Sequence, residues 1–161
     1  MPFLLLTIGI PGSGKSTWVK KCLKVYPAVQ VVSNDEIRRV VFNDIECVTS
    51  LNKEVYSKAH EIAESFLKEG KDVIIDATNA DLSEWIAYKK ISERIKGCIL
   101  VGVFFTNDIT EAVKNMEKRE RKVPLYVLEM KRDQILRNKE HAPMFFNLIF
   151  DSQEFPRALT E

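Results

Sequence analysis

Residues 9–16 read Gly-Ile-Pro-Gly-Ser-Gly-Lys-Ser, and their types and spacing suit one ligand chemistry. Gly9, Gly14, Lys15 and Ser16 occupy the fixed positions of the pattern G-x-x-x-x-G-K-[ST]. Glycines there let successive backbone N–H groups turn inward and cradle phosphate oxygens. Lys15 is expected to reach the β- and γ-phosphates of a nucleoside triphosphate, and the Ser16 hydroxyl to hold Mg²⁺. Pro11, Gly12, Ser13 and Thr17 complete the expected nucleotide contacts. A helix beginning near Gly14 would point its partial positive end at the same anion.

Acidic and basic residues follow at places where a nucleotide-dependent transfer would need them. Ser33-Asn34-Asp35-Glu36-Ile37-Arg38-Arg39 runs from a strand into a helix, with Arg38 one turn after Asp35. Asp35 is placed to take a hydroxyl proton and Arg38 to hold an anionic acceptor. A second reading gives Ser33, Asn34 or Asp35 only a helix cap to make. Ile74-Ile75-Asp76-Ala77-Thr78-Asn79 places the Asp76 carboxylate where it can meet Mg²⁺-bound water or fix a neighbouring arginine. The alternative is a strand-end turn whose side chains bond their own backbone. Between Lys114 and Lys122 there are five cations in nine residues, before Pro124. Such a run suits a solvated helix face with Glu117 and Glu120 pairing internally, or a mobile lid whose arginine neutralises a transferring phosphoryl group.

The elements that must position these residues are legible in the apolar pattern. Strand-like runs fall at 3–9, 28–33, 72–76, 98–105 and 146–150, and helical spacing at 14–25, 35–43, 50–69, 81–96, 109–119 and 124–139. Gly70 and Gly97 stand where helices should stop. The alternation predicts an α/β three-layer fold with a central parallel sheet of about five strands, ligands gathering at the strands' carboxyl ends. One domain over 1–161 is expected, with a helical lid at about 115–140. The pair Phe145-Phe146 reads as core.

Composition bounds the rest. A net charge of +1 gives no bulk attraction to nucleic acid or acidic membrane, so any polyanion site is a local patch. Cys22, Cys47 and Cys98 form no C-x-x-C pair, which predicts reduced thiols, a cytoplasmic setting and no zinc site. His60 and His141 read as surface helix residues. The N-terminal apolar run is too short to span a bilayer, and no secretion signal is visible.

Taken together, G-I-P-G-S-G-K-S-T-W at 9–18, S-N-D-E-I-R-R at 33–39, I-I-D-A-T-N at 74–79 and K-R-E-R-K-V-P at 118–124 resemble the kinase domain of polynucleotide 5′-hydroxyl kinases. This family occurs in phage and bacterial nucleic-acid end-healing proteins, and the resemblance covers residues 3 to about 140. It implies transfer of the γ-phosphate of ATP to the 5′-hydroxyl of DNA or RNA, with Asp35 as general base and Arg38 on the acceptor's own phosphate. It further implies that Asp76 organises the acceptor or metal shell and that Arg119 is the lid arginine, with Arg121 the next candidate. Asn34 stands where the family carries arginine or a small polar residue. With no phosphatase or ligase module attached, a stand-alone kinase is expected. Two other readings remain: a kinase of a small-molecule hydroxyl or of a hydroxymethylated base in DNA, and an ATP-binding regulatory module that transfers nothing.

Overall fold

The computed structural model describes residues 1–44, 49–119 and 122–154. Five strands form one parallel sheet in the order β2-β3-β1-β4-β5. They are β1 (Phe3–Ile8), β2 (Gln30–Ser33), β3 (Val73–Asp76), β4 (Ile99–Phe104) and β5 (Leu148–Asp151). The α-helices are α1 (Lys15–Val25), α2 (Asn34–Val40), α3 (Asn52–Lys68), α4 (Leu82–Arg94), α5 (Ile109–Met116) and α6 (Leu125–Lys139). Short 3₁₀ turns occupy Thr49–Leu51 and Ala142–Met144.

Three layers follow from the period-two geometry of the strands. Leu4, Leu6 and Ile8 of β1 join Val73, Ile75 and Leu100 in the larger core, under Val55, Ala59, Ala63 and Leu67 of α3 and Trp85, Tyr88 and Ile91 of α4. Leu5, Ile74, Val101 and Val103 point the other way, into a smaller core closed by Trp18, Val19 and Cys22 of α1. Burial alone pushes the Cys22 thiol up to about 11, so it behaves as a small apolar residue.

Every expected element forms with shifted ends: most are shorter than expected, while α2 starts one residue earlier and β5 ends one residue later. Gly70 and Gly97 terminate helical stretches with φ of 79° and 73°, in the left-handed region. Phe146 is core, as expected: its ring lies 5.1 Å from that of Trp85. His60 is a correction, since it is no simple surface residue. It is half-buried, with Nε2 3.1 Å from Glu84 Oε2 and its ring edge-on to Tyr88 at 4.8 Å, because α3 and α4 pack side by side. His141 is exposed. Among the described residues no helix is long and apolar enough to cross a membrane, and no group of three or more His, Cys, Asp or Glu could hold a metal ion.

The register aligns the carboxyl ends that matter. Ser33 lies opposite Asp76 across β2 and β3, while Leu6 lies opposite Ile75 across β1 and β3. The loop at 9–14, the start of α2 and the turn after Asp76 therefore open on one edge of the sheet.

Candidate active site

The loop between β1 and α1 is closed by its own polar groups. Ser13 N–H donates to Ile10 O at 3.1 Å, and Gly9 N–H donates to Thr78 O at 3.1 Å, tying the loop to the turn after β3. Gly14 caps α1 with φ 92°, a conformation that strains any residue with a Cβ. No side chain caps the helix there, and the first turn of α1 contains no acidic residue. The N–H groups of Lys15, Ser16 and Thr17 precede the first intrahelical bond, which Trp18 makes to Gly14 O at 3.0 Å. A helix start so arranged attracts anions. Pro11 and the buried Ser13 lie within the same turn.

Lys15 folds over this loop. Its Nζ donates to Gly9 O at 2.9 Å and Ile10 O at 2.8 Å, with Ser13 Oγ at 3.5 Å. Burial pushes the ammonium down to about 8, and the charge of Arg119 acts in the same direction, while Asp76 and Asp35 oppose it. Asp76 accepts a hydrogen bond from Ser16 Oγ at 3.2 Å. Burial raises its carboxyl above the usual range, against the pull of Lys15, Ser16 and Arg119. These two hard oxygen donors fit Mg²⁺, which takes one or two protein oxygens and completes its shell with water and substrate phosphate.

The turn at Asp76 divides its labour between the two readings open from sequence. Asp76 faces Ser16, whereas Asn79 serves the backbone: its Nδ2 donates to Thr7 O at 2.8 Å, and its φ is 45°. Trp85 Nε1 donates to Asn79 O at 2.8 Å, anchoring the turn to α4.

At the head of α2 the cap belongs to Ser33, whose Oγ accepts from Glu36 N–H at 3.3 Å. Asp35 is exposed, and its charge acts on both Lys15 and Asp76. Arg38 does not share that exposed position. It is buried, with Nη1 3.2 Å from Asp44 Oδ2 and Nη2 bonded to Asn52 Oδ1. Asn34 keeps a buried side-chain oxygen with no hydrogen-bond partner.

Helix α5 brings the basic segment to the loop. Arg119 follows its last turn, exposed, with its N–H on Met116 O at 3.0 Å, and its charge reaches Lys15 and Asp76. Arg121 lies outside the described residues. Of the stretch expected as a lid, α6 is fixed to the body: Leu128 and Ile135 are fully buried, and Asn138 Nδ2 donates to Ala80 O at 2.9 Å. Ile135 enters the larger core. Sequence reading also missed Asn115, whose Nδ2 donates to Gly12 O at 2.8 Å, and the Asp44 and Asn52 partners of Arg38.

Comparison with known proteins bears on the fold that carries these residues. One solved structure, "Structure of the Pnkp1/Rnl/Hen1 RNA repair complex", contains a chain 26% identical to this one, with a TM-score of 0.76 over 87% of this chain and 46% of that one. This chain thus spans less than half of that relative's length. A second solved structure, "Crystal structure of a putative kinase from chloroflexus aurantiacus j-10-fl at 1.70 A resolution", superposes with a TM-score of 0.65 at 16% identity, over 83% of this chain and 79% of that one. A gluconokinase from Sinorhizobium meliloti 1021 does so with a TM-score of 0.57 at 13% identity, over 94% and 83%. These last two show the fold, a kinase-like three-layer α/β sandwich. The family model described as AAA domain matches residues 4–141, nearly the whole described chain, and the chain belongs to that family of P-loop domains.

Proposed function

We propose that the protein transfers the γ-phosphate of ATP to the 5′-hydroxyl end of DNA or RNA, with Asp35 as general base. The observation that carries this reading is the freedom of Asp35: Ser33 makes the helix cap, while the Asp35 charge is felt at Lys15 and Asp76. The motif resemblance to polynucleotide 5′-hydroxyl kinases and the RNA repair relative at 26% identity support the acceptor class.

In this mechanism the loop N–H groups and Lys15 hold the β- and γ-phosphates. Asp35 accepts the hydroxyl proton as the oxygen attacks phosphorus in line. Arg119, above the loop, offsets charge spreading over the transferring group. Mg²⁺, held by Ser16 with Asp76 behind it, would supply charge neutralisation across the same phosphates. Arg38 would hold the acceptor's own phosphate by exchanging a guanidinium bond to Asp44 or Asn52 for a phosphate oxygen.

The burial of Arg38 favours a second reading, in which the guanidinium stays with Asp44 and the acceptor is a small uncharged alcohol. Labelled ATP and Mg²⁺ offered to 5′-hydroxyl oligonucleotides, 5′-phosphorylated controls and small alcohols separate the two. Label on the 5′-hydroxyl strands alone, lost in Asp35→Ala, is the expected result. Label on small alcohols and on no oligonucleotide would transfer the assignment to the second reading.

A further inference from the structure

We propose that Asn115 is a positioning residue that locks the phosphate loop to α5, and through α5 to the arginine beyond it. The inference rests on the nucleotide-binding reading of the loop. Asn115 Nδ2 donates to Gly12 O at 2.8 Å, joining residues 103 positions apart in sequence. Gly12 has φ 82°, and a Cβ built on it would lie 2.5 Å from Ala112 O and 2.9 Å from Met116 Cγ. The backbone of α5 therefore rests directly on the loop, at a place only glycine allows.

The hydrogen bond does more than hold two surfaces together. A trans peptide directs its carbonyl and the next N–H to opposite sides. With Gly12 O engaged by Asn115, Ser13 N–H is directed to Ile10 O at 3.1 Å, the bond that closes the loop's turn. Ile10 O also accepts from Lys15 Nζ at 2.8 Å. One chain of hydrogen bonds thus runs from Asn115 through the Gly12–Ser13 peptide to Ile10 and the Lys15 ammonium. Removing its first member frees that peptide to rotate, which unseats the carbonyl supporting Lys15.

The same helix turn sets the cation. Ala112 and Met116 form the buried side of α5, one turn apart, and Arg119 follows one turn after Asn115 with its N–H on Met116 O. The Arg119 charge reaches Lys15 and Asp76, so a displaced α5 carries the arginine away with it. An uncharged amide suits this role: it donates to the carbonyl without adding a charge to compete with the anion.

The test is calorimetric titration of the full chain with ATP and Mg²⁺, alongside thermal unfolding and steady-state kinetics. Asn115→Ala is expected to weaken ATP binding about five- to tenfold, the effect of one net hydrogen bond with some loop disorder, while Tm moves little. Asn115→Asp, with a carboxylate facing the carbonyl, should weaken it at least as much. Asn115→Gln keeps the donor and should recover part of the affinity; it also serves as the readout should truncation lower Tm. Wild-type affinity in Asn115→Ala overturns the proposal. An equal loss in the exposed, uncharged neighbour variant Val113→Ala also overturns it, by assigning the effect to α5 as a whole. Failure of the wild-type chain itself to bind ATP would instead sink the nucleotide-binding reading on which the proposal stands.

Discussion

Ser33 and Asp35 stand two residues apart at the head of α2 and carry separable work. Ser33→Ala should cost about 1 kcal/mol of stability, since Glu36 N–H loses its acceptor, while phosphoryl transfer survives. Asp35→Asn removes the proton acceptor from an exposed position, so its stability change should stay under about 1 kcal/mol while transfer is abolished. Denaturant unfolding and a transfer assay on the same two proteins check the contrast. The reverse pattern, a stable inactive Ser33→Ala and a destabilised active Asp35→Asn, would return the acid to a capping role. Arg38 behaves differently because it is buried beside Asp44. Arg38→Ala should lose on the order of 3 kcal/mol, as expected when one member of a buried ion pair is removed. Reduced turnover in that variant therefore counts for acceptor binding only if ATP affinity, measured below its lowered Tm, is kept. A drop in ATP affinity would contradict the acceptor assignment.

At the scale of elements, periodicity carried most of the information. The run Phe3-Leu4-Leu5-Leu6-Thr7-Ile8 announced a strand buried on both faces because its residues alternate between two cores, and the glycines at 70 and 97 announced helix ends. Contacts between distant segments were not legible. Asn115 meets Gly12 across 103 residues, and Arg38 meets Asn52 across 14, neither contact encoded by a local pattern. The place of Ile135 in α6 was not legible for the same reason: only the packed fold reveals the larger core that it enters. The junction of α3 and α4 offers a pH test of such a long-range contact. Arg94 Nε and Nη2 each donate to a Glu64 carboxylate oxygen at 2.9 Å, and these bonds hold the Glu64 carboxyl below its ordinary value. A carboxyl lowered on folding contributes stability above its unfolded pKa and loses it as pH falls through the folded one. The pair is partly exposed and screened by solvent, so Arg94→Ala should lower stability only slightly at pH 7. That difference should shrink below the ordinary glutamate range and vanish once Glu64 is protonated in both states. Unfolding curves of both proteins at pH 7 and pH 3 measure it, and a cost unchanged at pH 3 would assign Arg94 to packing alone.

For the whole molecule, the balance of charge decides how a polyanionic acceptor could bind. Lysines and arginines number 24 against 23 acids, so no long-range field draws nucleic acid to the surface. Acceptor binding must come from contacts at the site, and the candidate there for an acceptor phosphate is Arg38, in the last turn of α2. A single-stranded acceptor neutralised at one or two phosphates gives a slope of log K against log salt of about −0.7 to −1.4. Raising salt from 50 to 200 mM should then weaken binding only about three- to sevenfold. An acceptor tracked along a basic surface such as the 114–122 segment would involve more phosphates and a steeper slope. Acceptor KM measured for 5′-hydroxyl oligonucleotides across that salt range, at saturating ATP and constant Mg²⁺, distinguishes the two. A slope near −1 that flattens in Arg38→Ala would locate the phosphate contact at Arg38. A slope beyond about −3, indifferent to Arg38 but reduced in Lys114→Ala or Lys118→Ala, would place the strand along α5 and the residues after it.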